Sequence, residues 1–125
     1  MKRIILFCFI IILQSCSKLL PSPDFSGSYM GPVEYDLVYY DYPELNEKWG
    51  SVRSVFVFQD DNGPYIQLYG EKEYVNSDGY TYLIATTGSA TDYVELEIDG
   101  KIMHYSRTRN SGSYFYTEIG ILEKQ

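Results

Sequence analysis

The chain has 125 residues and a formal net charge of −7 at pH 7, with 17 acidic side chains against ten lysines and arginines. A chain this acidic repels phosphates and anionic lipid headgroups, so we expect neither nucleic-acid binding nor electrostatic attachment to a membrane. The charge instead favours a basic protein partner or a cation. The most unusual feature of the composition is its 14 tyrosines, against six phenylalanines and one tryptophan.

The first 15 residues are typical of a signal peptide. Lys2 and Arg3 form a short positive start, and the apolar run 4–13 is shorter than the roughly 20 residues of a transmembrane helix. The run ends in the letters LQSC, with an aliphatic residue three positions before Cys16 and a small residue directly before it. This ending resembles the bacterial lipobox, although Gln14 is larger than the residue usual there. The resemblance implies cleavage before Cys16 and acylation of its thiol by a fatty acid such as palmitate.

The chain is therefore expected to divide into three segments. They are a signal peptide over 1–15, the lipidated cysteine with an extended tether over 16–23, and a single domain over 24–125. The lipid would attach the domain to a membrane of the bacterial cell envelope. In some bacteria an aspartate after the cysteine retains lipoproteins at the inner membrane. Because Ser17 stands there, we expect the outer membrane.

Removal of the signal peptide changes the composition of the mature chain. Cys8 leaves with the signal, so the mature chain keeps one cysteine and no intramolecular disulfide is expected. Loss of Lys2 and Arg3 leaves eight basic and 17 acidic side chains, a net charge of −9. All the tyrosines remain, so the mature domain is both more acidic and richer in tyrosine than the whole chain.

Alternating apolar and polar residues predict the first strand of the domain. One face carries Tyr29, Val33, Tyr35, Leu37 and Tyr39, and the other carries Ser28, Glu34 and Asp36. A period of two is typical of a strand with one buried side. Because Pro32 cannot donate to a ladder, it predicts an edge or a bulge at its position.

The next two stretches differ sharply in pattern. Residues 41–50 have no strand alternation, and Pro43 could occupy the first turn of a short helix that ends before Gly50. Residues 55–58 have the sequence VFVF, which is apolar on both faces. This pattern predicts a strand buried deep in the core.

The remaining sequence predicts short strands separated by turns. The turns have the sequences DDNGP, NSDG, GSA and RNSGS. Gly70 suggests a bulge between two short strands. The last strand carries Phe115, Ile119 and Ile121 on one side.

Asp99 and Gly100 give the clearest hairpin signal in the chain. Both residues tolerate positive φ, as a type I′ turn requires. Val94, Leu96 and Ile98 share one face of the strand before this turn. A two-residue Asp99-Gly100 turn would place Leu96 opposite Met103 and Val94 opposite Tyr105.

These elements predict an all-β domain of seven or eight short antiparallel strands, with at most one short helix. Turns every eight to twelve residues are typical of a sandwich or barrel. We favour a small meander barrel or half-barrel, because closure removes exposed strand edges. The opening DFSGSYMG resembles the first strand of lipocalin-like small barrels, with the Gly27-Ser28-Tyr29 step matching the family's Gly-x-aromatic step. The resemblance implies a fold and no site residues.

The sequence predicts no catalytic or metal site. The single histidine, His104, would lie opposite Glu95, and we expect a surface cross-strand pair because no nucleophile accompanies it. No serine has a Gly-x-Ser-x-Gly context, and zinc sites use several Cys and His ligands. The loops DDNG and NSDG lack the later ligands of an EF-hand. We therefore expect no enzymatic activity, no metal and no cofactor.

The aromatic residues around the irregular segment are the candidate binding surface. They are Tyr39, Tyr40, Tyr42 and Trp49. Aromatic side chains on loops bind proteins and sugars with a large contact area. The favoured function is thus a non-enzymatic binding or accessory lipoprotein with a basic protein or carbohydrate partner. Two alternatives are a lipocalin-like carrier of a small ligand and an inhibitor of a basic envelope-attacking enzyme such as lysozyme. The tyrosines could instead simply fill the barrel core.

Overall fold

The computed structural model describes residues 23–125, which form one antiparallel sheet of eight strands curved into a nearly closed barrel. The strands are β1 (Gly27–Tyr39), β2 (Glu47–Asp60), β3 (Gly63–Leu68), β4 (Glu71–Tyr74), β5 (Tyr80–Thr87), β6 (Ala90–Asp99), β7 (Ile102–Asn110) and β8 (Tyr114–Lys124). The predicted all-β barrel is confirmed. The predicted signal peptide, the predicted lipidation site Cys16 and the tether up to residue 22 lie outside the described residues. No helix within 23–125 has the length and apolar character needed to cross a membrane.

The strands follow one another around the barrel in chain order, and β1 pairs with β8 to continue the ring. Two places in the wall are less regular. Between β4 and β5 the contact includes a hydrogen bond from the Asn76 N–H to the Tyr80 carbonyl and one from the Thr81 hydroxyl to the Tyr74 carbonyl. The β2–β3 ladder extends only from Phe58 to Asp60, so beyond it the two strands diverge.

One end of the barrel is packed with apolar side chains and is called the closed end here. Its most deeply buried members are Tyr29, Ile98, Met103 and Leu122, with Phe25 beneath them. The Tyr29 hydroxyl donates to the Phe25 carbonyl oxygen at 2.8 Å, so the buried phenol is satisfied. The predicted inward faces of β1 and β6 are confirmed.

The strand β2 is less buried than its sequence predicts. Val57 faces the interior and is 3% exposed, whereas Phe56 and Phe58 face outward and are 56% and 46% exposed. The prediction of a strand buried on both faces is wrong because a single-layered barrel covers only alternate residues. On β8 the shared side of Phe115, Ile119 and Ile121 is likewise the outer face.

The β6–β7 hairpin forms, but with a different turn and register. Asp99 pairs with Ile102, so Gly100 and Lys101 are the two turn residues. Gly100 alone has positive φ, at 60°, which is the pattern of a type II′ turn with glycine first. Leu96 is therefore opposite Tyr105 rather than Met103, and the predicted partners are wrong.

Two further local predictions are corrected. Pro43–Leu45 forms a single 3₁₀ turn, and Trp49 lies in β2, not in an irregular segment. Gly70 is not a bulge: Tyr69 and Gly70 form a two-residue turn with φ of 50° and 82°, as in a type I′ turn.

Pro32 lies in the central strand β1, between β2 and β8, and not at a sheet edge. In the β1–β8 ladder, Met30 and Val33 have partners on β8, but the two residues between them have none. The missing proline N–H explains this local interruption.

Candidate ligand-binding site

The interior beyond the closed end is polar. The same strand alternation that buries the core continues towards the other end of the barrel, where it turns charged and phenolic side chains inward. These side chains are Tyr35, Trp49, Arg53, Asp92, Arg107, Arg109, Tyr114, Tyr116 and Glu118. All three arginines of residues 23–125 are among them, so the only guanidinium groups of this range lie within the barrel.

Glu118 is fully buried and is held by Arg53 of β2 and by Tyr116 of its own strand. Arg53 donates from Nε to Oε1 at 2.5 Å and from Nη2 to Oε2 at 2.8 Å, and the Tyr116 hydroxyl donates to Oε2 at 2.5 Å. Burial raises the pKa of Glu118, but the hydrogen bonds from Arg53 and Tyr116 outweigh it and hold that pKa below its usual value. Glu118 is therefore an ionised, fully engaged carboxylate at neutral pH.

Asp92 is the second fully buried carboxylate, and two arginines share it. Arg107 donates from Nε to Oδ1 at 2.8 Å, and Arg109 donates from Nη1 to Oδ2 at 3.0 Å. Burial lowers the pKa of Arg107, but its hydrogen bond and ion pair with Asp92 raise that pKa above its ordinary value. Two guanidinium charges thus face one carboxylate, and this part of the interior is positive.

Tyr69 reaches this arginine pair from the β3–β4 turn. Its hydroxyl oxygen accepts from Arg107 Nη2 and from Arg109 Nη1, each at 3.1 Å. Among the non-glycine residues of the described range, Tyr69 alone has positive φ. A bulky residue in the left-handed region is uncommon and often accompanies a functional constraint.

An open cleft of about 440 Å³ lies at this end of the barrel and is called the mouth here. It is lined by Leu37, Tyr39, Trp49, Arg107, Arg109, Tyr114 and Tyr116. The Trp49 indole stacks on Tyr35 with ring centroids 4.9 Å apart and planes 2° apart, yet the residue is 41% exposed. The mouth therefore offers a rigid indole next to two arginines.

The four predicted binding residues are only partly brought together. Tyr39 and Trp49 line the mouth, with the Tyr39 ring edge-on to Tyr114 at 6.2 Å. Tyr40 and Tyr42 lie outside it, 48% and 59% exposed, and the Tyr40 hydroxyl donates to Asn110 Oδ1 at 2.9 Å. Solvent access of part of the cluster is confirmed, while its role in binding stays a prediction.

Sequence reasoning missed the charged half of the site. The inward face of β7 continues from Met103 and Tyr105 to Arg107 and Arg109, which is a signal visible in the sequence. Asp92 lies directly across the β6–β7 ladder from Arg109, and Arg107 on the same strand also donates to it. Finding this cluster needs the correct β6–β7 register. Glu118 is bound instead by Arg53 of β2, which is two strands away from β8.

His104 lies on the outer face opposite Glu97, so its predicted pairing with Glu95 is wrong. The shifted turn at Gly100 is the cause, because it moves each partner by two residues. His104 and Glu97 are both exposed. In residues 23–125 no group of three or more His, Cys, Asp or Glu side chains is placed to hold a metal ion.

A smaller slot opens through the wall where β2 and β3 diverge. Its volume is about 250 Å³, and its apolar lining includes Val55, Leu68 and Leu83. Arg53 and Arg107 also line it, so the slot and the mouth share the Arg107 side chain.

Comparisons with protein-family models, with curated proteins and with solved structures give no match to this chain. Its function is therefore inferred from the mouth, the slot and the distribution of charge.

Proposed function

We propose that this protein is a non-enzymatic binding lipoprotein of a bacterial envelope. The barrel recognises a carbohydrate at the mouth, and a lipid on Cys16 holds it at the outer membrane. The observation that carries the proposal is the exposed Trp49 indole, held flat by Tyr35 beside Arg107 and Arg109 in an open cleft.

The Trp49 indole has the properties of a sugar-binding platform. One face is packed on Tyr35, so the ring loses little further freedom when a ligand arrives. A sugar ring presents an apolar C–H face to such a platform and hydroxyl groups at its rim. Tyr114 and Arg109 supply polar groups beside the indole. A mainly aromatic cleft with a few fixed polar groups is typical of small-ligand sites.

The state of the carboxylates favours binding over catalysis. Glu118 has a lowered pKa and accepts hydrogen bonds from Arg53 and Tyr116. A general acid or base works best with a pKa near the operating pH and with access to substrate. Glu118 is fully buried and meets neither condition.

Fluorescence of the mature protein in detergent tests the proposal, because Trp49 is the only tryptophan. A panel of neutral and uronic-acid oligosaccharides of matched length should contain members that change its emission saturably. Calorimetry should then show that Trp49→Ala removes this binding. Tyr42→Ala, an exposed aromatic change outside the mouth, should bind like the unaltered protein. Absence of binding by every saccharide, or equal loss in both variants, would contradict the proposal.

The lipid anchor has a test of its own. Cys16→Ser removes the thiol that the lipobox-like ending marks for acylation. We expect this variant to leave the membrane fraction, since a chain this acidic gains nothing from anionic headgroups. A variant that still sediments with membranes would show that the attachment has another cause.

The outer surface supports a second candidate, an inhibitor of a basic envelope-attacking enzyme such as lysozyme. Apart from Asp92 and Glu118, residues 23–125 carry fifteen acidic side chains against four lysines. Such a surface steers basic proteins towards it in a salt-dependent way. Inhibition of lysozyme by the mature protein, weakening with added salt, is the expected result for this candidate.

A carrier of a small apolar ligand is less well supported. The slot of about 250 Å³ is smaller than the roughly 300–1,000 Å³ of sites for drug-sized ligands. The interior next to it is occupied by the Arg53–Glu118 pair.

A further inference from the structure

Two guanidinium groups in the mouth converge on one neutral oxygen. Arg107 Nη2 and Arg109 Nη1 both lie 3.1 Å from the hydroxyl oxygen of Tyr69. Asp92 compensates only one of the two positive charges, and both of its oxygens are already engaged by these arginines. The point occupied by the phenol oxygen is therefore one that a negatively charged oxygen would fit better.

We propose that this point is an anion subsite, at which a carboxylate of the ligand replaces the Tyr69 hydroxyl between Arg107 and Arg109. The saccharide bound at the mouth is then an acidic one that carries a uronic-acid group. This inference rests on the proposed function, because it names the charge class of the ligand bound there.

The exchange is favourable on hydrogen-bond strength. Hydrogen bonds from arginine to a carboxylate are roughly twice as strong as bonds between neutral partners, and a phenol is a neutral acceptor. The forked guanidinium also matches the two oxygens of a carboxylate better than it matches one hydroxyl. Arg107 and Arg109 are held in place by Asp92, and Arg109 Nε is held by the Tyr114 hydroxyl at 3.0 Å. The subsite is therefore organised before the ligand arrives.

Tyr69 is placed so that it can leave. Its side chain is on a two-residue turn and is 53% exposed, so withdrawal uncovers little buried surface. The turn joins two short strands, and all four residues of β4 are exposed. The ladder between β2 and β3 has only three pairs.

Tyr69→Phe is the decisive variant, because it removes the competing oxygen and keeps the ring. The probes are a galacturonic-acid trimer and a galactose trimer of the same linkage, titrated into the mature protein in detergent. In the unaltered protein the ligand must displace the two hydrogen bonds that the arginines donate to the Tyr69 hydroxyl, and Tyr69→Phe lacks both. We therefore expect Tyr69→Phe to bind the acidic trimer about tenfold more tightly. Its affinity for the neutral trimer should not change. A purely structural role for Tyr69 predicts no such gain.

Tyr40→Phe is the matched control. It removes a phenol oxygen that is outside the mouth, where the Tyr40 hydroxyl donates to Asn110 Oδ1. The preference for the acidic trimer over the neutral one should stay as in the unaltered protein. Arg109→Gln should reduce the affinity for the acidic trimer to that for the neutral trimer, with folding checked by its melting curve.

Benzoate distinguishes failure of the anion subsite from failure of the carbohydrate function, since it has a carboxylate on a flat ring and no sugar. Tighter benzoate binding in Tyr69→Phe, without binding of either trimer, would uphold the subsite and contradict the carbohydrate function. Equal binding of both trimers that depends on Trp49 but is unchanged by Tyr69→Phe would uphold the function and overturn the subsite. Unchanged or weaker binding of the acidic trimer and benzoate by Tyr69→Phe overturns the inference.

Discussion

On β7, Met103 faces the closed end of the barrel, and Arg107 and Arg109 face the mouth. The same strand thus supplies an apolar core at one end and a charged, phenolic interior at the other. Burial of a charge is costly, and a well-paired buried ion pair is often no more stabilising than apolar side chains of similar size. Stability alone therefore does not explain the polar half, whereas the proposed ligand recognition at the mouth would. We infer that the closed end holds the fold and that the mouth carries the proposed function.

The largest effect is expected when the polar half loses a shared carboxylate. Asp92→Asn leaves Arg107 and Arg109 facing each other without a compensating charge, and both are largely buried. Removal of one partner of a buried ion pair costs about 3–5 kcal/mol, which urea unfolding would measure. Asp36→Asn is the control, since its pair with Lys48 is exposed and spans 3.7 Å; its effect should stay within about 0.5 kcal/mol. Equal effects of the two variants would refute the described role of Asp92.

A truncation at the closed end should be nearly as costly but should leave binding intact. Leu122 is fully buried, so Leu122→Ala should lower the free energy of unfolding by about 2–5 kcal/mol. Its outward neighbour Ile121 is 56% exposed, and Ile121→Ala should change stability far less. Molecules of Leu122→Ala that remain folded should bind ligand at the mouth with unchanged affinity. A loss of affinity in them would show that the two ends are not separable.

The pH dependence of stability should report on Glu118 in the polar half of the barrel. The folded-state pKa of Glu118 lies below its unfolded value of about 4.5. Its contribution is therefore fully present above about pH 4.5 and is lost as the pH falls through the lowered pKa. Glu118→Gln should reduce this loss of stability at acidic pH, and it should lower the free energy of unfolding at pH 7 by about 2–3 kcal/mol. The expected loss is smaller than that for a fully buried ion pair because Arg53 is partly exposed. If urea melts show the same acid destabilisation in the variant, other carboxylates cause it.

The smallest effect on stability is expected at Trp49. Its stacking on Tyr35 contributes about 0.5–1.5 kcal/mol beyond its area, and the residue is 41% exposed. Trp49→Ala should thus destabilise by about 1 kcal/mol, between a surface change and the roughly 3–5 kcal/mol of a buried aromatic residue. Trp49→Phe should recover most of this loss. A loss of several kcal/mol in urea melts would make Trp49 a structural plug of the barrel.

The fold was largely predictable because burial of one face leaves a period of two in β1, β5 and β6. The predicted inward faces of β6 and β7 are correct even though the predicted register is wrong. The turn begins at Gly100 rather than Asp99, which displaces each partner by two residues. A displacement by two keeps every side chain on its face, whereas a displacement by one would reverse it.

The site was predictable only at its aromatic rim. The sequence predicts an irregular segment at Trp49 because the inward positions of β2 also include Ser51, Arg53 and Val55, and this mixture of residue types hides the alternation. Asp92 and Arg109 meet only through the cross-strand register, which the wrong turn displaced. Tyr69 reaches the arginines across the barrel from a turn, and no periodicity in the sequence predicts that contact.

We propose that ligand binding is confined to the mouth while the closed end is a core without a binding role. Nuclear magnetic resonance titration of the mature protein with the galacturonic-acid trimer tests it directly, by following the Trp49 indole N–H, the Arg109 Nε–H and the methyl groups of Met103 and Leu122. We expect the Trp49 and Arg109 signals to shift saturably with one common Kd, whereas the methyl signals of the closed end do not move. Shifts of the Met103 and Leu122 methyl signals with an unchanged Trp49 signal would show that the ligand binds elsewhere.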